Sequence, residues 1–228
     1  MSTIIDQAKN AINVWNDTRN NSTAVSNYFN QGAYFEISIE DFEAWNSNNP
    51  TEIHAYMGLE IPPGAPNFAL HLFSVDNITD QKPVESHQAE YLEKLKKSIY
   101  QRAILPNVHF NMSLGNADEI EPLDALQAST QWTLHKDLWL SQQTDLVQTF
   151  IIPFSDLKKL FLVRGAESVV VLPALKEIDN MPNVFQIDLM LWGHTSEGII
   201  GRYPKDFIKP APPFSNPSHF QLLDYALS

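Results

Sequence analysis

Apolar residues recur at helical spacing from the first turns of the chain. Ile5, Ala8, Ile12 and Trp15 fall on one face with Asn and Asp residues opposite, which predicts an amphipathic helix. Ser22 is placed to cap a second short helix carrying Val25, Tyr28 and Phe29, with Gly32 as its stop. The run "AYFEISI" then takes up strand alternation, and "EDFEAW" returns to helical spacing before the turn-forming cluster "NSNNP". Two alternating runs, "IHAYMGLE" and "NFALHLFSVD", flank "IPPGAP" and predict a hairpin with a long loop. Pairing symmetric about that loop puts Ile53, Ala55, Met57 and Leu59 on a core face with Phe68, Leu70 and Leu72. His54, Tyr56, His71 and Phe73 then share the opposite face, because side chains alternate along a strand. Leu92, Leu95 and Ile99 predict one long helix over 84–103, and a further helical pattern begins near Asp124, holding Leu126, Trp132 and Leu138. Between them, 104–122 reads as irregular or short-strand connection with a turn near 115–118, the seam between the halves.

The second half repeats this order. A helix with a Trp (Trp132) is followed by a strand "VQTFIIPF", a helix "SDLKKLF", Gly165 as its terminator, a strand "SVVVLPAL", a turn "KEIDNMPN" and a strand "VFQIDLMLW". Phe35 and Phe150 stand 115 apart, as do Asp41 and Asp156, while Ile53 and Val169, and Asn67 and Asn183, stand 116 apart. A near-constant offset of half the chain predicts two tandem copies of one helix–strand–helix–hairpin domain. The expected fold class is α+β with antiparallel sheets, one repeat over 1–115 and a second over 116–228 ending in a Pro-rich tail. "FEISIEDFEAW" and "FIIPFSDLKKL" would then be the same strand-to-helix corner, with Asp41 or Asp156 near free N–H groups of the first turn. The proline part of the tail is expected to lie extended across the fold, with the last residues docked as a short helix or strand.

The first copy resembles a group of small uncharacterised bacterial α+β domains. Their pattern is an acidic residue before an apolar helix, an I-x-x-Y-x-G-L strand and a following strand that ends in V-D. The resemblance covers 39–77 and is carried by Asp41, Ile53, Tyr56, Gly58, Leu59, Val75 and Asp76. The second copy departs from it, with Leu172 and Ala174 near the Tyr56 and Gly58 positions and Gly193 near Asp76. That group has no established activity, so the resemblance implies architecture and no function.

Composition narrows the chemistry. The chain has 228 residues, 43% of them hydrophobic, enough for one large core or two modest ones. A formal charge of −12 opposes binding to phosphate backbones or anionic lipid. Lys94, Lys96, Lys97 and Arg102 are interleaved with Glu90 and Glu93 and read as a solvated helix face, so neither a nucleic-acid nor a membrane partner is expected. No run reaches the length that spans a bilayer, and the first residues lack the pattern of a signal peptide. A soluble, cytoplasmic protein is expected. Cysteine is absent, which removes thiolate nucleophiles and thiolate metal sites.

The seven histidines form no H-E-x-x-H motif, and no G-x-S-x-G elbow or clustered phosphate-binding glycines occur. Neither a metal nor a cofactor is expected. Only His54 and His71, beside Tyr56 and with Asp76 at a strand end, could converge. Trp15, Trp45, Trp132 and Trp139 sit on predicted helices as core residues, whereas Trp192 sits at a strand end beside Gly193. The offset brings His71 near Asp188 and Asp76 near Gly193, so His54, Tyr56, His71, Asp76, Asp188 and Trp192 are the candidate ligand-binding residues. The leading expectation is a non-catalytic interaction or scaffold protein with a protein or small-molecule partner. The alternative is a hydrolase or small-ligand-binding protein with a site between the two halves.

Overall fold

The computed structural model describes residues 2–61, 68–102, 108–109, 122–178, 181–200, 209–211 and 220–228. Helix α1 (Ile4–Thr18) begins with a reciprocal cap, in which Thr3 accepts from the Asp6 amide and Asp6 accepts from the Thr3 amide. Its apolar stripe of Ile5, Ala8, Ala11, Ile12 and Trp15 is buried. Helix α2 (Ser22–Phe29) is capped by Asn21, one residue earlier than expected. Gly32 does not stop it by adopting a left-handed backbone. It is small because a Cβ there would stand 2.3 Å from the Tyr100 ring. Strand β1 (Phe35–Ser38) runs into α3 (Ile39–Asn46) through a second reciprocal cap, between Ser38 and Asp41.

Strands β2 (Glu52–Glu60) and β3 (Ala69–Asp76) pair antiparallel, with Met57 opposite Leu72 and Tyr56 opposite Phe73. The expected faces are both present and both buried; 62–67, most of the "IPPGAP" loop, lie outside the described residues. A one-turn helix α4 (Asn77–Asp80) and a short 3-10 turn at Val84–Ser86 follow.

The long helix expected over 84–103 is not there. Helix α5 spans only Gln88–Lys94, Leu95 is extended, and β4 (Lys96–Ile99) pairs with the free edge of β3. Backbone pairing along that edge outweighs the local helical period, and the Ser98 hydroxyl anchors the strand on the Glu36 carbonyl. The basic run is therefore no solvated helix face. Lys94 is buried, and its ammonium donates to the Ala44 carbonyl, the Ser47 hydroxyl and Glu93, placing a cation at the C-terminal end of α3.

The connection expected over 104–122 is described only at β5 (Val108–His109) and at the first residue of helix α6 (Pro122–Gln142); the turn expected at 115–118 lies outside the described residues. Helix α6 buries Ala125, Ala128, Trp132 and Trp139, while Leu126 and Leu138, expected on its apolar stripe, are 40% and 63% exposed. The helix rests on its neighbour through alanines, and that close approach turns the leucines outward. Strand β6 (Thr149–Pro153) leads into α7 (Phe154–Lys158), where Pro153 occupies the cap position and offers no side-chain oxygen. A π-helical turn at Lys159–Val163 ends at Gly165, whose φ of 71° is open to glycine at little cost. Strands β7 (Ser168–Ile178) and β8 (Met181–Thr195) extend through most of the stretch expected as a turn, leaving only 179–180 outside the described residues. Strands β9 (Gly198–Ile200) and β10 (Lys209–Ala211) and helix α8 (Gln221–Leu227) complete the described chain; of the proline-rich tail, 212–219 lie outside it.

The described strands form two five-stranded sheets, ordered β1-β7-β8-β9-β5 and β10-β6-β2-β3-β4. The described pairings are antiparallel apart from β5 with β9, so the fold is α+β with largely antiparallel sheets. Strand β1 joins the β7–β8 pair and β6 joins the β2–β3 pair, so each sheet draws on both ends of the chain. The inner faces meet in one core that holds Phe35, Val171 and Leu189 from one sheet with Met57, Leu72 and Phe150 from the other. Outside, α1, α5 and α8 cover the β2–β3 sheet and α6 covers the β7–β8 sheet.

Leu70 and Leu189 are both buried in the shared core. Leu70→Ala and Leu189→Ala should each cost about 2–5 kcal/mol. Denaturant titration measures this, and an unchanged midpoint in either variant would contradict the assigned strand faces.

Candidate functional site

The turn after β3 sets out the most concentrated chemistry in the described chain. Asp76 closes the strand and caps α4, its Oδ1 accepting from the Ile78 and Thr79 amides at 3.1 and 3.0 Å and its Oδ2 from the Thr79 hydroxyl at 2.8 Å. Asn48 adds a further donor at 3.3 Å. Asp76 stands opposite Ile53, on the face away from His54 and Tyr56, so it is not the carboxylate that meets them. That group is Asp80, one helical turn later.

Asp80 is buried on the outer face of the β2–β3 sheet and gathers four donors. His54 donates through Nδ1 to Oδ2 at 2.5 Å, and the Tyr56 hydroxyl donates to the same oxygen. The Tyr91 hydroxyl and the Leu222 amide donate to Oδ1 at 3.1 and 3.0 Å. Burial raises the Asp80 carboxyl above its ordinary range, an effect the donors partly offset. Burial, reinforced by the Asp80 charge, raises both phenols as well. The Phe220 ring, 4.7 Å from the His54 ring centre, and α8 close the cluster from outside. With His54, Tyr56, Tyr91 and the Leu222 amide all bonded to one carboxylate, the arrangement is saturated.

The other candidate residues lie apart. His71, opposite Gly58, meets Glu60 through Nε2 at 3.1 Å, and Lys97 holds the other Glu60 oxygen at 2.6 Å. Burial first, and the Lys97 charge second, lower the His71 imidazole to about 4 against the opposing pull of Glu60. Asp188 is buried opposite Ala174 and accepts from the Leu189 amide at 2.7 Å. Trp192 packs with Val170, Met190, Ala125 and Ala128 on the outer face of the other sheet. Of the six candidates the structure thus joins His54 and Tyr56. Asp80 and Tyr91, which complete their cluster, were missed. The signal for Asp80 was "DNITD", two aspartates one helical turn apart after a strand; Tyr91 had none. If the first caps the turn, the second is carried back over the sheet.

Trp192 does line a cavity of about 480 Å³. Its walls come from the α2–β1 connection and Tyr100 on one side and from α6, β7, β8 and β9 on the other. None of His54, Tyr56, His71 or Asp80 lines it. Among the described residues no group of three or more His, Asp or Glu side chains is placed to hold a metal ion, and no helix is long and apolar enough to cross a membrane. Compared with known proteins, the chain matches no family model, no curated protein and no solved structure.

Two outcomes follow. Asp80→Ala leaves buried donors without an acceptor and should cost about 3–5 kcal/mol, read as a lowered melting temperature; a melt within error of wild type would contradict the cluster. His71 has a folded-state pKa below its ordinary 6.5, so its contribution to stability is present above pH 6.5 and lost as pH falls through about 4. The wild-type melting temperature should therefore fall more steeply than that of His71→Gln across this window, and parallel curves would refute the assignment.

Proposed function

We propose that this chain is a non-catalytic interaction protein built from two copies of one α+β unit, 1–115 and 116–228, held together by exchanged strands. The observation that carries the non-catalytic reading is the saturation of Asp80 beneath Phe220 and α8. A general acid, base or nucleophile needs a free proton or lone pair within reach of substrate; here the Tyr56 proton is held by Asp80, and the second nitrogen of His54, 4.0 Å from Glu52, belongs to a side chain only 3% exposed beneath Phe220. This favours binding over the hydrolase alternative.

Register supports the duplicated architecture. Phe35 faces Val171 and Ile37 faces Val169, while Phe150 faces Ala55 and Ile152 faces Ile53. Adding 115 to the exchanged strand and subtracting 116 from the hairpin converts one set of pairs into the other. The covering helices agree. Ala8, Ala11 and Trp15 are buried in α1, and Ala125, Ala128 and Trp132 stand 117 residues later, buried in α6. On this reading the product is a rigid two-sheet body whose surfaces serve a protein partner or a small ligand between the halves.

Two measurements test it. Aryl esters offered to the purified protein should not be turned over, and turnover abolished by His54→Gln would overturn the non-catalytic reading. Because neither half keeps its sheet without the other's strand, tryptophan fluorescence and far-ultraviolet circular dichroism should report one coincident denaturant transition. Two separated transitions would sink the exchanged-strand arrangement.

A further inference from the structure

Two residues that line the cavity, Trp192 and Ser129, carry buried polar atoms that the fold does not use. The Trp192 indole N–H is buried without a hydrogen-bond partner, in a residue only 3% exposed. The Ser129 hydroxyl, on the same cavity wall, is also buried without a partner. Its neighbours are not in this state: the Thr130 hydroxyl donates to the Leu126 carbonyl at 2.7 Å and that of Thr133 to the Ser129 carbonyl at 3.1 Å. A buried donor left unmet is destabilising, and here two such groups belong to residues that line one space. Lys136 also lines the cavity. Its nearest anion, Asp137, is 3.8 Å away and already accepts from the Ser26 hydroxyl at 2.5 Å.

The remaining wall is aromatic and aliphatic. Phe29 meets Trp132 edge to face at 4.8 Å and Tyr100 at 5.6 Å, and all three line the cavity with Leu172. Planar rings pack well on such a surface, and a volume near 480 Å³ holds a two-ring compound with room to spare. An indole N–H only donates and an ammonium only donates, so the matching polar group is one that only accepts.

We propose that this cavity binds a planar aromatic carboxylate, its ring on the Phe29–Tyr100–Trp132 wall and its carboxylate taking the free donors of Trp192 and Ser129 with Lys136 supplying positive charge. The proposal rests on the binding reading above and names its ligand class. Walls from both halves of the chain make it a site that neither half completes alone.

The experiment is calorimetric titration of the full chain with 2-naphthoate, 2-naphthamide and 2-naphthylmethylamine at neutral pH. Naphthoate should bind tightest and the amine should not bind. Trp192→Phe, which keeps a ring and removes the N–H, should weaken naphthoate about 10- to 100-fold. Ser129→Ala removes one hydroxyl from a helix and should weaken it in the same direction, so the test stands even if the Trp192 variant folds poorly. Lys136→Gln should narrow the gap between naphthoate and naphthamide. No heat with naphthoate, equal binding of the amine, or variants that bind like wild type would overturn the site. Those results leave the non-catalytic reading intact, whereas ester turnover that depends on His54 would overturn that reading and leave naphthoate binding unaffected.

Discussion

Everything in this fold depends on two strand pairings, β1 on β7 and β6 on β2. Without β1 the β7–β8 sheet loses an edge, and without β6 the β2–β3 sheet loses both β6 and the β10 strand beyond it. Because the two inner faces share one apolar core, the pairings and the packing reinforce each other. Placement of the α2–β1 connection against α6, and hence the cavity between them, follows from the same crossing.

Polar side chains hold two of the short helices that start at strand ends, α3 and α4, whereas α7 starts at Pro153 without a side-chain cap. Asp41 and Asp76 satisfy amides at the starts of α3 and α4, and Lys94 satisfies a carbonyl near the end of α3. Trp45 returns the contact by donating to the Lys94 carbonyl at 2.8 Å. Asp80 belongs to this set in position but not in role, since its donors come from strand β2, helix α5 and the C-terminal helix α8.

Period-2 and period-3.6 patterns were legible wherever one face of an element is apolar, as in α1, α3, β2, β3 and the two faces of the β2–β3 pair. They misled where tertiary contact decides the outcome. Residues 96–99 carry a helical period yet complete a sheet edge, and the outward leucines of α6 carry a stripe that its alanines displace. The site was half legible for the same reason. His54 and Tyr56 share a face by alternation, which sequence reveals, but Asp80 and Tyr91 reach them through a helical turn and a separate helix, which it does not. The orphaned Trp192 N–H is invisible in sequence altogether, because a missing partner is a property of the packed neighbourhood.

The amide of Leu222 reaches Asp80 across 142 residues of chain. During synthesis the β2–β3 pair and α4 emerge long before that donor exists, so Asp80 lacks its fourth donor, and the part of the outer face that Phe220 and α8 cover stays open, until α8 is made. Closure of that face is therefore a late, non-local step, slow to search and quick to reverse if the carboxylate loses its ties. A nascent chain caught before that step would lack the Phe220 ring over His54 and Tyr56, which makes this face one in need of protection while the protein is being born.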